Sequence, residues 1–112
     1  MIVTAWSNGK HYPSGAGYGL RLTIADRDLY FKRTWSNVLL ELEGEGTSIS
    51  VNTSKPSFWG PECRELISKD IGKWLIKNKK APWTKSRPPK MLMEPIARNT
   101  FRVTFAYNQS HL

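Results

Sequence analysis

The stretch "SNGKHYPSGAGYGLRL", residues 7–22, concentrates groups that could do chemistry: four glycines around Asn8, Lys10, His11, Tyr12 and Ser14. Glycines beside a lysine suggest a phosphate cradle. A dinucleotide fingerprint needs G-x-G-x-x-G opening a helix after a strand, and counting from Gly15 puts Leu20 where the last glycine belongs. A P-loop needs G-x-x-x-x-G-K followed by Ser or Thr, but here Lys10 is followed by His11 and the upstream glycine is missing. Two readings remain. One is a turn-rich connection. The other is an arm that offers Asn8 and Lys10 to base edges, with Ser14 and backbone N–H groups for phosphates. Eleven residues without regular structure are long for a small domain, which favours the arm.

Catalytic chemistry finds little to work with. Cys63 is the sole cysteine, so no internal disulfide or cysteine zinc cluster can form. It opens an apolar stripe and reads as a core residue. His11 and His111 are the two histidines, and His111 lies near the end of the chain. Glu41, Glu43 and Glu45 alternate along one strand into its turn. None begins the E-x-K spacing of metal-dependent nucleases, and a solvated strand face accounts for them. The expectation is a protein that is not an enzyme, with no catalytic residue, no metal and no cofactor.

Charge is the stronger signal. Residues 1–72 carry eight basic and eight acidic side chains, whereas residues 73–112 carry nine basic ones against Glu94 alone. The net charge of +8 therefore sits in the last third of the chain. Lys73, Lys77, Lys79, Lys80, Lys85, Arg87 and Lys90 follow Asp70 with no acid before Glu94. Polyanions are natural partners of so polarised a molecule. At 112 residues and 39% hydrophobic, the chain fits one domain with a real core, residues 1–112, with a frayed tail at 107–112. It has no apolar stretch of membrane-spanning length and no charged-then-apolar leader, so a cytoplasmic protein without a membrane partner is expected.

The elements that must position these groups follow from periodicity. "IVTAW" and "YGLRLT" read as strands, and "ADRDLYF" as a short helix. "NVLLELE" and "TSISVN" form a hairpin over 37–52 around "GEG". Gly60 and Pro61 suit the start of a helix over 61–78, with Leu66, Ile71, Trp74 and Leu75 on its apolar stripe. Gly72 weakens its middle, and a break near Ser68 fits the pattern. "KKAPWTKSRPPK" is an irregular basic connection. "MLMEP" and "FRVTFA" close the fold as a hairpin with Phe101, Val103 and Phe105 on one face. Six mostly antiparallel strands and two helices predict an α+β fold whose sheet curls into a barrel-like shape to cover its edges.

This order resembles the DNA-binding pseudobarrel of plant B3-type transcription factors and of EcoRII-type restriction-enzyme effector domains. "GLRLTIADRDLYF" is similar to the family's strand-then-helix segment, and "LISKDIGKWLIKN" to the helix before its last strands. The family has a seventh strand, where six are readable here. "FWGPECRELISKDIGKWL" also resembles a segment of small stand-alone bacterial proteins, a likeness that implies no activity. The first resemblance implies duplex-DNA binding through two arms, which fall here on 7–17 and 53–60. Of "FW" at Phe58 and Trp59, one ring is expected in the core. Trp74 reads as core, while Trp83 in "APWTK" is either an anchor or a ring for stacking on unpaired bases.

The expected function is a nucleic-acid-binding module, for DNA sooner than RNA. The expected contacts are Asn8, Lys10, His11, Tyr12, Ser14, Lys55, Lys79, Lys80, Trp83, Lys85 and Arg87. The alternative is an inhibitor or accessory subunit docking an acidic protein.

Overall fold

The computed structural model describes residues 1–62 and 64–105. The readings of Cys63 as core, of His111, and of the tail at 107–112 lie outside the described residues. The strands are β1 (Ile2–Ser7), β2 (Tyr18–Arg21), β3 (Asn37–Leu42), β4 (Ile49–Asn52), β5 (Glu65–Ile67), β6 (Lys90–Ala97) and β7 (Thr100–Thr104). Helix α1 (Ile24–Tyr30) follows β2, and helix α2 (Lys69–Lys77) follows β5. The strands form one sheet in the order β4-β3-β7-β6-β1-β2-β5. All neighbours are antiparallel except the parallel pair β3 and β7. The edge strands β4 and β5 approach each other, so the sheet nearly closes on itself. The fold is the expected α+β pseudobarrel with two helices.

Alternation decides which side chains enter the barrel. Val3 and Ala5 of β1, Val38, Leu40 and Leu42 of β3, Met91 and Met93 of β6, and Phe101 and Val103 of β7 are all buried. Leu66, Ile71, Trp74, Leu75 and Phe105 join them in one cluster. The hairpin at 37–52 pairs Asn37 with Asn52 as read from its pattern. Trp74 stacks on Phe105 with centroids 4.3 Å apart, and its Nε1 donates to Glu43 O at 2.8 Å. Of the Phe58–Trp59 pair, Phe58 is buried and Trp59 half-buried.

The expected helix over 61–78 is corrected. Its first part forms β5, antiparallel to β2, with Gly19 opposite Ile67 and Leu20 opposite Leu66. The edge of β2 has backbone groups that need partners, and glycine at position 19 lets the chains meet. A side chain at Gly19 would run into Leu66 O. Helix α2 starts only after Ser68, whose Oγ accepts the Asp70 N–H at 3.1 Å. Gly60 caps no helix start. It ends a 3-10 turn, Pro56–Trp59, and its N–H donates to Ser57 O. Among the described residues the strands therefore number seven, not six. Helix α1 is capped by Thr23 and turns Arg27 inward, where the guanidinium donates to Phe58 O at 2.9 Å and Gly60 O at 2.7 Å. Of the three strand carboxylates, Glu41 pairs with Arg102 and Glu45 with Lys77, while Glu43 accepts the Phe105 N–H at 2.7 Å.

Strand directions sort the connections. β1, β3, β5 and β7 run one way and the other three run back. The β1–β2 loop, the β3–β4 turn, α2 and the connection after it share one end of the barrel. Helix α1, residues 53–62 and the β6–β7 turn share the other.

Gly15 and Gly72 bring the loop onto α2 at backbone contact, since a Cβ on Gly72 would overlap Gly15 O. Alanine favours a helix interior by about 1 kcal/mol over glycine. Even so, Gly72→Ala should destabilise the fold by a net of about 1–3 kcal/mol, because the overlapped atom is backbone. Chemical denaturation checks this; an unchanged or higher midpoint would mean that the loop lifts freely.

Candidate nucleic-acid interface

The β1–β2 loop is neither a phosphate cradle nor a free arm. It bonds to itself. Asn8 N–H donates to Gly17 O at 2.9 Å, Tyr12 N–H to Lys10 O at 2.9 Å, and Gly15 N–H to Tyr12 O at 3.1 Å. Asn8 Oδ1 accepts the Lys10 N–H at 3.0 Å, so part of the expected base-reading amide is used within the loop. Gly9, Gly15 and Gly17 have φ of 97°, 90° and 81°, the left-handed region that side chains avoid. The glycines are turn residues of a closed loop seated on α2. Lys10, His11, Tyr12 and Ser14 remain exposed on it.

The loop is tied to the basic connection by three rings. His11, Tyr18 and Trp83 meet edge to face, with centroids 5.3 Å (His11–Tyr18), 5.2 Å (His11–Trp83) and 5.6 Å (Tyr18–Trp83) apart. His11 Nδ1 and the Tyr18 hydroxyl share a hydrogen bond of 2.7 Å. Edge-to-face pairs contribute beyond the area they bury. Trp83 is thus an anchor with one side half open.

These contacts gather every expected contact residue except Lys55 at one end of the barrel. Lys55 is half-buried in front of the 3-10 turn at the other end. The two expected arms, at 7–17 and 53–60, lie at opposite ends. Lys85 and Arg87 are exposed on the connection. Lys80 is half-buried with Nζ 5.2 Å from the Phe105 ring centre, and its charge is partly committed there.

Lys79 stands in an unusual place. Its N–H donates to Ile76 O and that of Lys80 to Leu75 O, the paired bonds that close a helix with a left-handed residue. That residue is normally glycine; here it is Lys79, with φ of 59°.

Beside the ring cluster lies a groove of about 520 Å³. Trp6, His11, Arg21, Trp83 and Lys85 line it. Trp6 is a residue that reading the sequence for sites did not single out. Alternation carries the signal: with Val3 and Ala5 inward, Trp6 faces outward, and it packs outside the core cluster. Lys90, Thr4, Arg21 and Glu65 form one row across β6, β1, β2 and β5 on the same outer face. Arg21 Nε donates to Glu65 Oε2 at 2.9 Å, and Arg21 remains exposed.

No protein-family model, curated protein or solved structure matches the chain. Among the described residues, no helix is long and apolar enough to cross a membrane.

Two outcomes follow from this geometry. Burial pushes the Tyr18 phenol above its ordinary value of 10.0. A raised folded-state value means a contribution that is complete below the unfolded value and is lost as pH rises through the folded one. Stability should therefore fall above about pH 10, and Tyr18→Phe should flatten that fall, as followed by thermal melts across alkaline pH. Lys79→Gly should raise stability by about 0.5–1 kcal/mol by relieving the left-handed lysine, as measured by denaturant midpoint.

Proposed function

We propose that the protein is a non-enzymatic nucleic-acid-binding module whose cationic end docks phosphate backbones, with DNA as the ligand. The observation that supports this reading most is the His11–Tyr18–Trp83 cluster. It fixes the loop carrying Lys10 against the connection carrying Lys85 and Arg87, so cations from distant parts of the sequence act as one surface. Binding then draws on release of counterions from the phosphates, which is independent of sequence. Preference among sequences falls to the exposed loop residues, chiefly Lys10, Tyr12 and Ser14. In this reading Lys55 and residues 53–60 stand apart from the surface, and the mode of docking is one basic end, not a pair of arms.

The test is a titration of duplex DNA at several salt concentrations. Replacing Lys79, Lys80, Lys85 and Arg87 together by glutamine should flatten the slope of log affinity against log salt by up to about 3–4 units. It should weaken all sequences alike. An unchanged slope and affinity would remove the connection from the interface. If the native protein binds neither duplex, single-stranded DNA nor RNA, the reading fails and an acidic protein becomes the partner to seek.

A further inference from the structure

The groove beside the ring cluster has features that phosphate docking does not need. Trp6 projects from the outer face of β1 at a position opposite Gly19 of β2. Glycine has no side chain to cover the neighbouring indole, so one side of Trp6 faces the groove. Beyond Gly19 in the same row stands Ile67 of β5, itself exposed. Trp83 also lines the groove, packed edge to face against His11 and Tyr18. Trp83 packs against the core, but Trp6 makes no part of it, so core packing does not account for an indole at this position.

The rim is cationic. Lys85 and Arg21 line the groove, and Lys90 lies two strands from Arg21 with only Thr4 between them. The acid in that row, Glu65, is buried and engaged by Arg21 Nε. The other guanidinium N–H groups of Arg21 make no hydrogen bond among the described residues. Flat apolar floors between positive rims suit a strand whose bases are unpaired: every base has a π-face to stack, and its backbone is anionic. A duplex keeps its bases stacked on each other and could not use the indoles. An acidic peptide would satisfy the rim but leave the rings without a partner.

We infer that this groove binds a single-stranded segment of nucleic acid, with an unpaired base stacked on Trp6 and the flanking phosphates met by Arg21, Lys85 and Lys90. This rests on the proposed nucleic-acid reading and adds a ligand class to it. Trp6 supplies stacking in this arrangement, while the cations supply the salt-dependent share of the affinity.

The experiment compares oligothymidine and oligouridine of about eight nucleotides with a duplex of the same length, using the full chain and two variants. Trp6→Leu keeps an apolar cover over Gly19 but has no π-face. Trp6→Phe keeps a smaller one. Thermal melting of each variant verifies the fold. Trp6→Leu should weaken single-strand binding roughly 5- to 150-fold, the range of one lost base stack, and leave the salt slope unchanged. Trp6→Phe should recover most of that loss, and duplex affinity should stay within about twofold in both. Similar losses for the two oligomers would place recognition on base and phosphate; a loss confined to one would assign the groove to DNA or to RNA. Unchanged single-strand binding in Trp6→Leu would overturn the inference while the nucleic-acid reading stood. Equal losses for single strand and duplex would also overturn it. A native protein that binds none of the three ligands would overturn both.

Discussion

The backbone contact between Gly15 and Gly72 is the constraint on which the basic end of the molecule depends. It involves no side chain, and any side chain would break it. Because it seats the β1–β2 loop on α2, the loop's own hydrogen bonds close in a fixed place, and Ser68 N–H can reach Tyr18 O at the start of the helix. That fixed place brings His11 to Tyr18. Trp83 packs on both, and the basic connection is drawn back toward β1, where Ala5 N–H donates to Pro89 O at 2.9 Å. The chain of dependence runs from two missing methyl groups to the position of a charged surface.

Much of the barrel is legible in the sequence because strand alternation is a local signal. The hairpin over 37–52 needs only its own residues: apolar Val38, Leu40 and Leu42 on one face, and glycines at the turn. The segment around Leu66 is different. Leu66 is buried whether it belongs to a helix or to a strand, and three residues are too few to reveal a period. What makes it a strand is the unpaired edge of β2, more than forty residues earlier, and the glycine there that admits it. Gly72 shows the same limit from the other side. Within the helix it reads as a weakness, and its reason lies in a loop elsewhere in the chain.

The candidate site divides in the same way. Its charge is plain from counting, since the excess of cations is a property of composition. Its location is not, because His11 and Trp83 are far apart in the sequence and their meeting is a tertiary event. Lys55, which the resemblance puts on a second arm beside the first, lies at the opposite end, which only strand directions reveal. Trp6 could have been found from alternation alone, by asking which face of β1 the indole occupies.

The order of strands has a consequence for how the chain acquires its shape. β6 and β7 lie between β1 and β3, so the residues that join the two halves of the sheet come after nearly all the rest in sequence. Before they arrive, β3 and β4 can form one island, and β1, β2 and β5 another, with no strand pairing between them among the described residues. The last hairpin acts as a keystone: Phe101 and Val103 enter a space whose walls are already half built. Pairing β7 with β3 also closes a long loop, and such non-local contacts form slowly. Until that hairpin pairs, the apolar inner faces of the two islands share no strand that joins them.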